Sequence, residues 1–345
     1  MTTQSRDAQS AHQESTPGAN AESLADDRSR PPERPALRAR LDWRDYAIYI
    51  GFAVVFCLFA IFLRDDGFLN TNNLLNIARQ TAIIVVMAVA GTFVIASAQI
   101  DLSIGAVAGL SSVVVAMTIA STGSAAIGIL AGLGVGAAVG IVNGTLVALL
   151  RIPSFLVTLA MLGIAGGIAQ WMSNFQPVPI LDTTFTNAFG SGEIGPAPTL
   201  LVWAALAVGV GVVVLNKTRY GRQVLATGGN AVAAQFSGVR TRRITFYVLL
   251  VSAVVASIAG MLYAGRLQTG RYQWGTGDEL SVIAAVVLGG TSLFGGNGRV
   301  VGSAVGAVFI GLINNGLILA GTDVSQQIII QGVIIIIAVA LAKKK

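Results

Sequence analysis

The 345-residue chain has one histidine, His12, and one cysteine, Cys57. A metal centre built from His and Cys clusters, a His-assisted nucleophilic triad and a disulfide are therefore excluded. Cys57 lies inside an apolar run and reads as a small hydrophobe. The run Gly289-Gly-Thr-Ser-Leu-Phe-Gly-Gly-Asn-Gly298 fails as a nucleotide loop. No Gly-Lys-Ser/Thr follows it, and Gly296-Asn-Gly298 lacks the third glycine of the dinucleotide spacing. These residues describe a chain that is not an enzyme. The chemistry left is hydrogen bonding. Gln80, Gln99, Asn143, Asn314 and Asn315 stand inside or at the ends of apolar runs, where an amide either lines a path for a neutral solute or bonds one helix to the next. Two short segments resemble each other, Asp101-Leu-Ser-Ile-Gly-Ala-Val and Glu279-Leu-Ser-Val-Ile-Ala-Ala-Val. Their acids either mark an inverted repeat or sit at helix N-termini, where capping and the dipole favour them.

The elements that carry these residues follow from composition. Only 11% of residues are charged and 54% are hydrophobic, against roughly 25% charged in soluble domains; this is a membrane protein. The net charge of +6 comes from basic residues at segment ends, with no basic stripe interleaved with aromatics, so nucleic acid is not a partner. Residues 1–45 are polar, with Pro31, Pro32 and Pro35 close together, and read as a disordered tail without a secretory signal. From residue 46 to 342 the charge-free runs are Tyr46–Leu63, Gln80–Ala98, Leu102–Ala120, Ala125–Leu150, Phe155–Trp171, Leu200–Leu215, Ile244–Gly265, Leu280–Gly290, Val301–Ala320 and Val324–Ala342. A spanning helix needs about 20 apolar residues, so the eighth is too short unless it continues through Gly-Gly-Thr-Ser. The expected fold is an all-α polytopic membrane protein of about ten transmembrane helices, as two inverted halves of five. Backbone groups in lipid must be satisfied internally, which makes each span a helix.

Lys217, Arg219, Arg222, Arg240, Arg242 and Arg243 crowd the segment 216–243 with no acid among them. Positive charge marks the cytoplasmic side, and Lys343-Lys344-Lys345 (residues 343–345) returns there after an even number of spans. Residues 172–198 hold Asp182 and Glu193 but no Lys or Arg, as an external loop should. Within 216–243, Ala226–Phe236 reads as a short helix with Gly228-Gly229-Asn230 as the break before it and Gly238 as its stop. Such a helix is a surface for a motor subunit to push; a solvated loop carrying only the orientation signal is the alternative. The fourth span has glycine at 128, 132, 136, 140 and 144. Small residues at this step let helices approach closely. The step drifts about 40° around a helix, so the ladder should serve more than one neighbour. Gly298, Gly302 and Gly306 repeat the device. The run 289–298 reads as an interrupted helix near the pathway or as a tight turn between the eighth and ninth spans.

At this point the chain resembles a known family, the membrane permeases of bacterial ABC importers for ribose, xylose, arabinose and galactose. The resemblance rests on Ile100-Asp-Leu-Ser-Ile-Gly105, Pro153-Ser-Phe-Leu-Val-Thr-Leu159, Tyr220-Gly-Arg222 with Ala226-Thr-Gly-Gly-Asn230, Ala233-Ala234 to Ser237-Gly238, Ile283-Ala-Ala-Val-Val-Leu-Gly-Gly-Thr-Ser-Leu293 and Asn314-Asn-Gly316. It implies a multi-pass protein of the bacterial cell (inner) membrane with both termini cytoplasmic. Its implied partners are a second permease copy, cytoplasmic ABC ATPase subunits that bind the ATP and Mg, and an extracytoplasmic sugar-binding protein. It implies no cofactor in this chain, and a monosaccharide substrate, a pentose such as ribose. The segment 216–243 becomes a coupling loop, with Tyr220, Gly221, Arg222, Gly228, Gly229, Asn230, Ala233, Ala234, Ser237 and Gly238 at its contacts; Gln80, Gln99, Asn143, Asn314 and Asn315 become pathway candidates. Four residues depart from the family pattern. Ala98-Gln99 stands where Gly-Gly is usual, Gly166 where Arg is common, and Val232 replaces the acid of Glu-Ala-Ala-x-x-x-Gly. The rival class is an ion-coupled secondary transporter of a small neutral solute. Such carriers hold an ionisable relay within the membrane, and here charge is confined to the ends of the spans.

Overall fold

Every one of the ten apolar runs becomes a helix in the computed structural model, which describes residues 47–341. The tail and the C-terminal lysines lie outside the described residues. Thirteen α-helices are formed among them: α1 Ala47–Phe62, α2 Thr71–Ala96, α3 Ile104–Thr122, α4 Ala125–Ala148, α5 Ser154–Ser173, α6 Thr183–Thr186, α7 Thr199–Lys217, α8 Arg219–Gly229, α9 Ala231–Phe236, α10 Thr241–Leu267, α11 Asp278–Leu288, α12 Val300–Leu319 and α13 Val324–Leu341. Seven of them, α2, α3, α4, α5, α7, α10 and α12, are long and apolar enough to cross a membrane. The chain is a multi-pass membrane protein of the all-α class, with only two pairs of two-residue strands besides the helices among the described residues. Its long helices alternate between a basic face, carrying 216–243, and an opposite loop face, carrying 174–198.

Two boundaries differ from the sequence expectation. α2 begins at Thr71, nine residues before Gln80, because Asn70 caps it by accepting from the Asn72 N–H; a charge-free count stops at Arg79 and cannot see a polar first turn. The eighth span does not continue through Gly-Gly-Thr-Ser. α11 ends at Leu288, Gly290 takes φ +88°, and Gly295 and Gly296 follow at +81° and +79°, a left-handed region that glycine enters freely. The run 289–298 is thus a turn on the basic face. At 11 residues α11 is about 16 Å long, half of a hydrocarbon core of about 30 Å.

The helix α10 occupies the centre of the bundle, packed on α2, α3 and α4, and it buries Ser252, Ala253, Ala256, Ala259, Gly260 and Met261. The glycine ladder of α4 winds as its spacing requires. A Cβ at Gly128 would strike Ile119 of α3, and at Gly132 both Val115 of α3 and Met261 of α10. At Gly136, Gly140 and Gly144 it would strike α10 itself, at Ser257, Leu250 and Phe246. On α12, Gly302 and Gly306 meet the backbone of Gly289 and Ala285 in the same way. Gly140→Leu, whose Cβ would lie 2.7 Å from the Leu250 Cα, should cost about 1–3 kcal/mol. Gly134→Leu, facing open space, should leave the thermal unfolding of the detergent-solubilised protein unchanged.

Candidate functional site

Two polar centres are built into this bundle, one where α2 breaks before α3 and one on the basic face. At the first, α2 ends at Ala96 and the chain runs without helix through Ser97–Ser103. Backbone groups in such a break need partners. The Ile100 and Leu102 N–H groups donate to the hydroxyls of Ser154 (3.1 Å) and Thr158 (3.0 Å) on α5. Asp101 is 8% exposed. Its Oδ1 accepts from the Ser103 N–H (2.9 Å) and the Ser103 hydroxyl (2.6 Å), and its Oδ2 accepts from the Ser252 hydroxyl of α10 (2.7 Å). The Asn143 amide of α4 donates to Ser103 Oγ (3.1 Å). One carboxylate therefore ties the start of α3 to α10, and through Ser103 to α4. It stands at a helix N-terminus, one of the two settings its sequence allows. Glu279 lies in the first turn of α11, and a Cβ on Gly105 of α3 would meet its carboxylate and the Gly275 carbonyl. The two similar segments thus open two oppositely running helices whose N-termini meet inside the bundle.

At the second centre, Thr218 caps α8 by accepting from the Gly221 N–H (3.2 Å), and Gly221 is pressed on the carbonyls that end α7. Tyr220 stacks on Phe93 of α2 at 6.5 Å; burial pushes its hydroxyl up to about 12, so it stays neutral. Arg222 is exposed. The expected helix is two: Gly228 and Gly229 close α8, and Asn230 breaks the chain before α9, its side chain accepting from the Ala233 N–H (3.0 Å) to cap it. Ser237 follows α9 and Gly238, at φ +84°, stops it. A Cβ on Gly228 would strike the Ala96 carbonyl and come within 2.8 Å of the Gly296 nitrogen, which itself donates to the Ala96 carbonyl (2.9 Å). The end of α8, the end of α2 and the glycine-rich turn are therefore joined backbone to backbone. Lys217, Arg219, Arg222, Arg240, Arg242 and Arg243 are all exposed on this face.

The five amide candidates part company. Gln99 lines a cavity of about 480 Å³ beside Ser97, Arg151, Thr227, Gln235 and Arg242, at the basic face and next to α9. Gln80 is exposed on α2, and Asn314 is half-buried on α12. Asn315 exchanges two hydrogen bonds with Asn73 of α2 (2.9 and 3.1 Å), and Asn143 belongs to the Asp101 cluster; both bond helix to helix. On α9, Ala233 is exposed but Ala234 is buried against its own chain. The outward face carries Val232, 64% exposed, and Phe236, 90% exposed. Sequence reading passed over Phe236; four-residue spacing from Val232 places the two on one helix face, and that spacing was the available signal.

The arrangement is one of long apolar helices, a polar break between two of them and a short helix pair on the basic face, as in proteins that move solutes across membranes. A family model described as "Branched-chain amino acid transport system / permease component" matches residues 73–339, and the chain belongs to that family of membrane transport permeases. Among curated relatives, a ribose import permease of Escherichia coli (strain K12) is 39% identical over 287 residues, 81% of this chain and 88% of the relative. A D-allose transport system permease of the same strain is 32% identical over 315 residues, covering 91% and 96%. An L-arabinose ABC transporter permease of Azospirillum brasilense is 35% identical over 296 residues, 85% of each chain. No solved structure matches the chain.

Proposed function

We propose that the chain is the transmembrane subunit of an ATP-driven importer for a monosaccharide, a pentose such as ribose, released to it by an external binding protein. The observation that carries this reading is the run of relatives named as ribose, allose and arabinose permeases, each similar over most of both chains. The geometry supports the division of labour. On the positive-inside rule the basic face is cytoplasmic, which would give ATPase subunits access to α8 and α9; both termini are assigned to the same side. ATP and Mg are held by those subunits, and two permease copies enclose the path. Movement of α9 passes through the Gly228 junction to the end of α2 and the glycine-rich turn. From there it reaches the Ser97–Ser103 break.

The substrate class is tested by uptake in a host lacking its own ribose transport, with the chain co-expressed with its ATPase and binding protein. Labelled D-ribose should enter and be competed by excess unlabelled D-ribose, with leucine leaving uptake unchanged. Uptake of labelled leucine with no uptake of ribose, L-arabinose or D-allose would instead assign the chain to amino acids, as the name of the family model has it.

A further inference from the structure

The segment that follows α10 does not stay at the surface. Thr269 and Gly270 pair antiparallel with Val178 and Pro179 of the loop face, and the chain then turns down along α3. Gly270 rests on Ala116 and Ser112. Ser112 Oγ accepts from the Arg271 N–H (3.2 Å) and donates to the Arg271 carbonyl (2.9 Å). A Cβ on Gly109 would lie 2.6 Å from the Tyr272 carbonyl and 2.9 Å from that of Trp274, and one on Gly105 would strike the Gly275 carbonyl. From Ala116 to Gly105 the segment descends about 16 Å of helix, about half of a hydrocarbon core of roughly 30 Å, before α11 begins. Glycine at 105 and 109 admits its backbone.

One side of this segment is fixed to the protein. The Trp274 indole N–H donates to the Thr269 carbonyl (2.8 Å), and its ring stacks on Tyr263 (6.2 Å) beneath the Arg271 guanidinium (5.5 Å). The Tyr263 hydroxyl donates to Asp278 (2.7 Å), which engages that carboxylate. The other side presents Gln273 and Thr276, both exposed. Non-helical backbone with polar side chains is not tolerated against lipid at this depth; it lines water or is buried in protein. In transporters built of broken helices, solute sites lie near the midplane where such helix ends meet, and here the starts of α3 and α11 meet.

Resting on the reading of the chain as a solute permease, we infer that the re-entrant segment 271–277 lines the solute path at its midpoint. There Gln273 and Thr276 hydrogen-bond a neutral, hydroxyl-rich solute. An amide and a hydroxyl supply donors and acceptors without charge, which suits sugar hydroxyls. The test is cysteine accessibility in the full chain with Cys57→Ala. Gln273→Cys and Thr276→Cys, in vesicles treated with a membrane-impermeant maleimide from the loop face, should label at least tenfold faster than Ile141→Cys and Leu206→Cys at exposed apolar positions of α4 and α7. Labelling as slow as at those controls overturns the path, even where ATP-driven ribose uptake persists and the proposed function stands. Millimolar D-ribose should slow labelling at Thr276→Cys. Protection by leucine and not by ribose keeps the path and overturns the sugar reading, and protection by neither overturns the contact role of Gln273 and Thr276.

Discussion

Asp101→Ala should destabilise the folded protein by about 3 kcal/mol or more, lowering both its unfolding temperature in detergent and its yield. The substitution removes the acceptor for a backbone N–H and two hydroxyls, all at 2.6–2.9 Å. Hydrogen bonds to a charged group contribute about 1.5–3 kcal/mol each, and buried donors left unpaired add their desolvation cost. Folded domains have only about 5–15 kcal/mol in hand. Asp101→Asn should lose much less. Its carbonyl still serves Ser103, and the Ser252 hydroxyl can turn to accept from the new amide. The pair of variants also separates two mechanisms. In an ATP-driven permease, Asp101→Asn that folds should still transport. A folded Asp101→Asn protein with no transport would make Asp101 the ionisable relay of an ion-coupled carrier.

Phe236→Ala should weaken association with the ATPase by about 30-fold, with normal membrane levels of the permease. Phe236 contributes nothing visible to its own chain, being 90% exposed at the end of α9, so truncation leaves the bundle intact. Aromatic anchors buried at an interface typically lose 2 kcal/mol or more on truncation, which corresponds to that factor at 1.4 kcal/mol per tenfold. Arg240→Glu, on the same face and exposed, should do far less, because exposed ion pairs are worth about 0–1 kcal/mol. Co-purification of the ATPase with each variant is the readout. Unaltered binding by Phe236→Ala would reduce α9 to a solvated turn.

The glycine ladder was legible in the sequence because it needs no partner to be recognised. A four-residue repeat drifts, and Gly128 and Gly144 duly face different helices. The likeness of the Asp101 and Glu279 segments was legible too, as two similar helix starts of opposite sense. Their meeting point was not, since it depends on Gly105 and Gly109 admitting a neighbouring backbone. For the same reason the depth of residues 271–277 was hidden. Arg271, Gln273 and Asp278 read as a surface loop on any hydropathy count, and only the contact with α3 carries them inward. Among the amides, residue type announced hydrogen bonding but not its direction. Asn315 turns to Asn73, while Gln99 faces a cavity. In the loop 216–243 charge marks one face of the bundle, while the outward projection of Phe236 and the burial of Ala234 depend on how α9 rests on its own chain.

The central claim is that this bundle moves a sugar at the expense of ATP bound elsewhere, and its most direct test is uptake into proteoliposomes. With the chain reconstituted alongside its ATPase and binding protein, D-ribose should accumulate only when ATP and Mg are supplied on the ATPase side. That accumulation should be unchanged when protonophore and ionophore collapse every ion gradient. Gradient-driven accumulation of ribose by the chain alone, without ATP, would contradict the account.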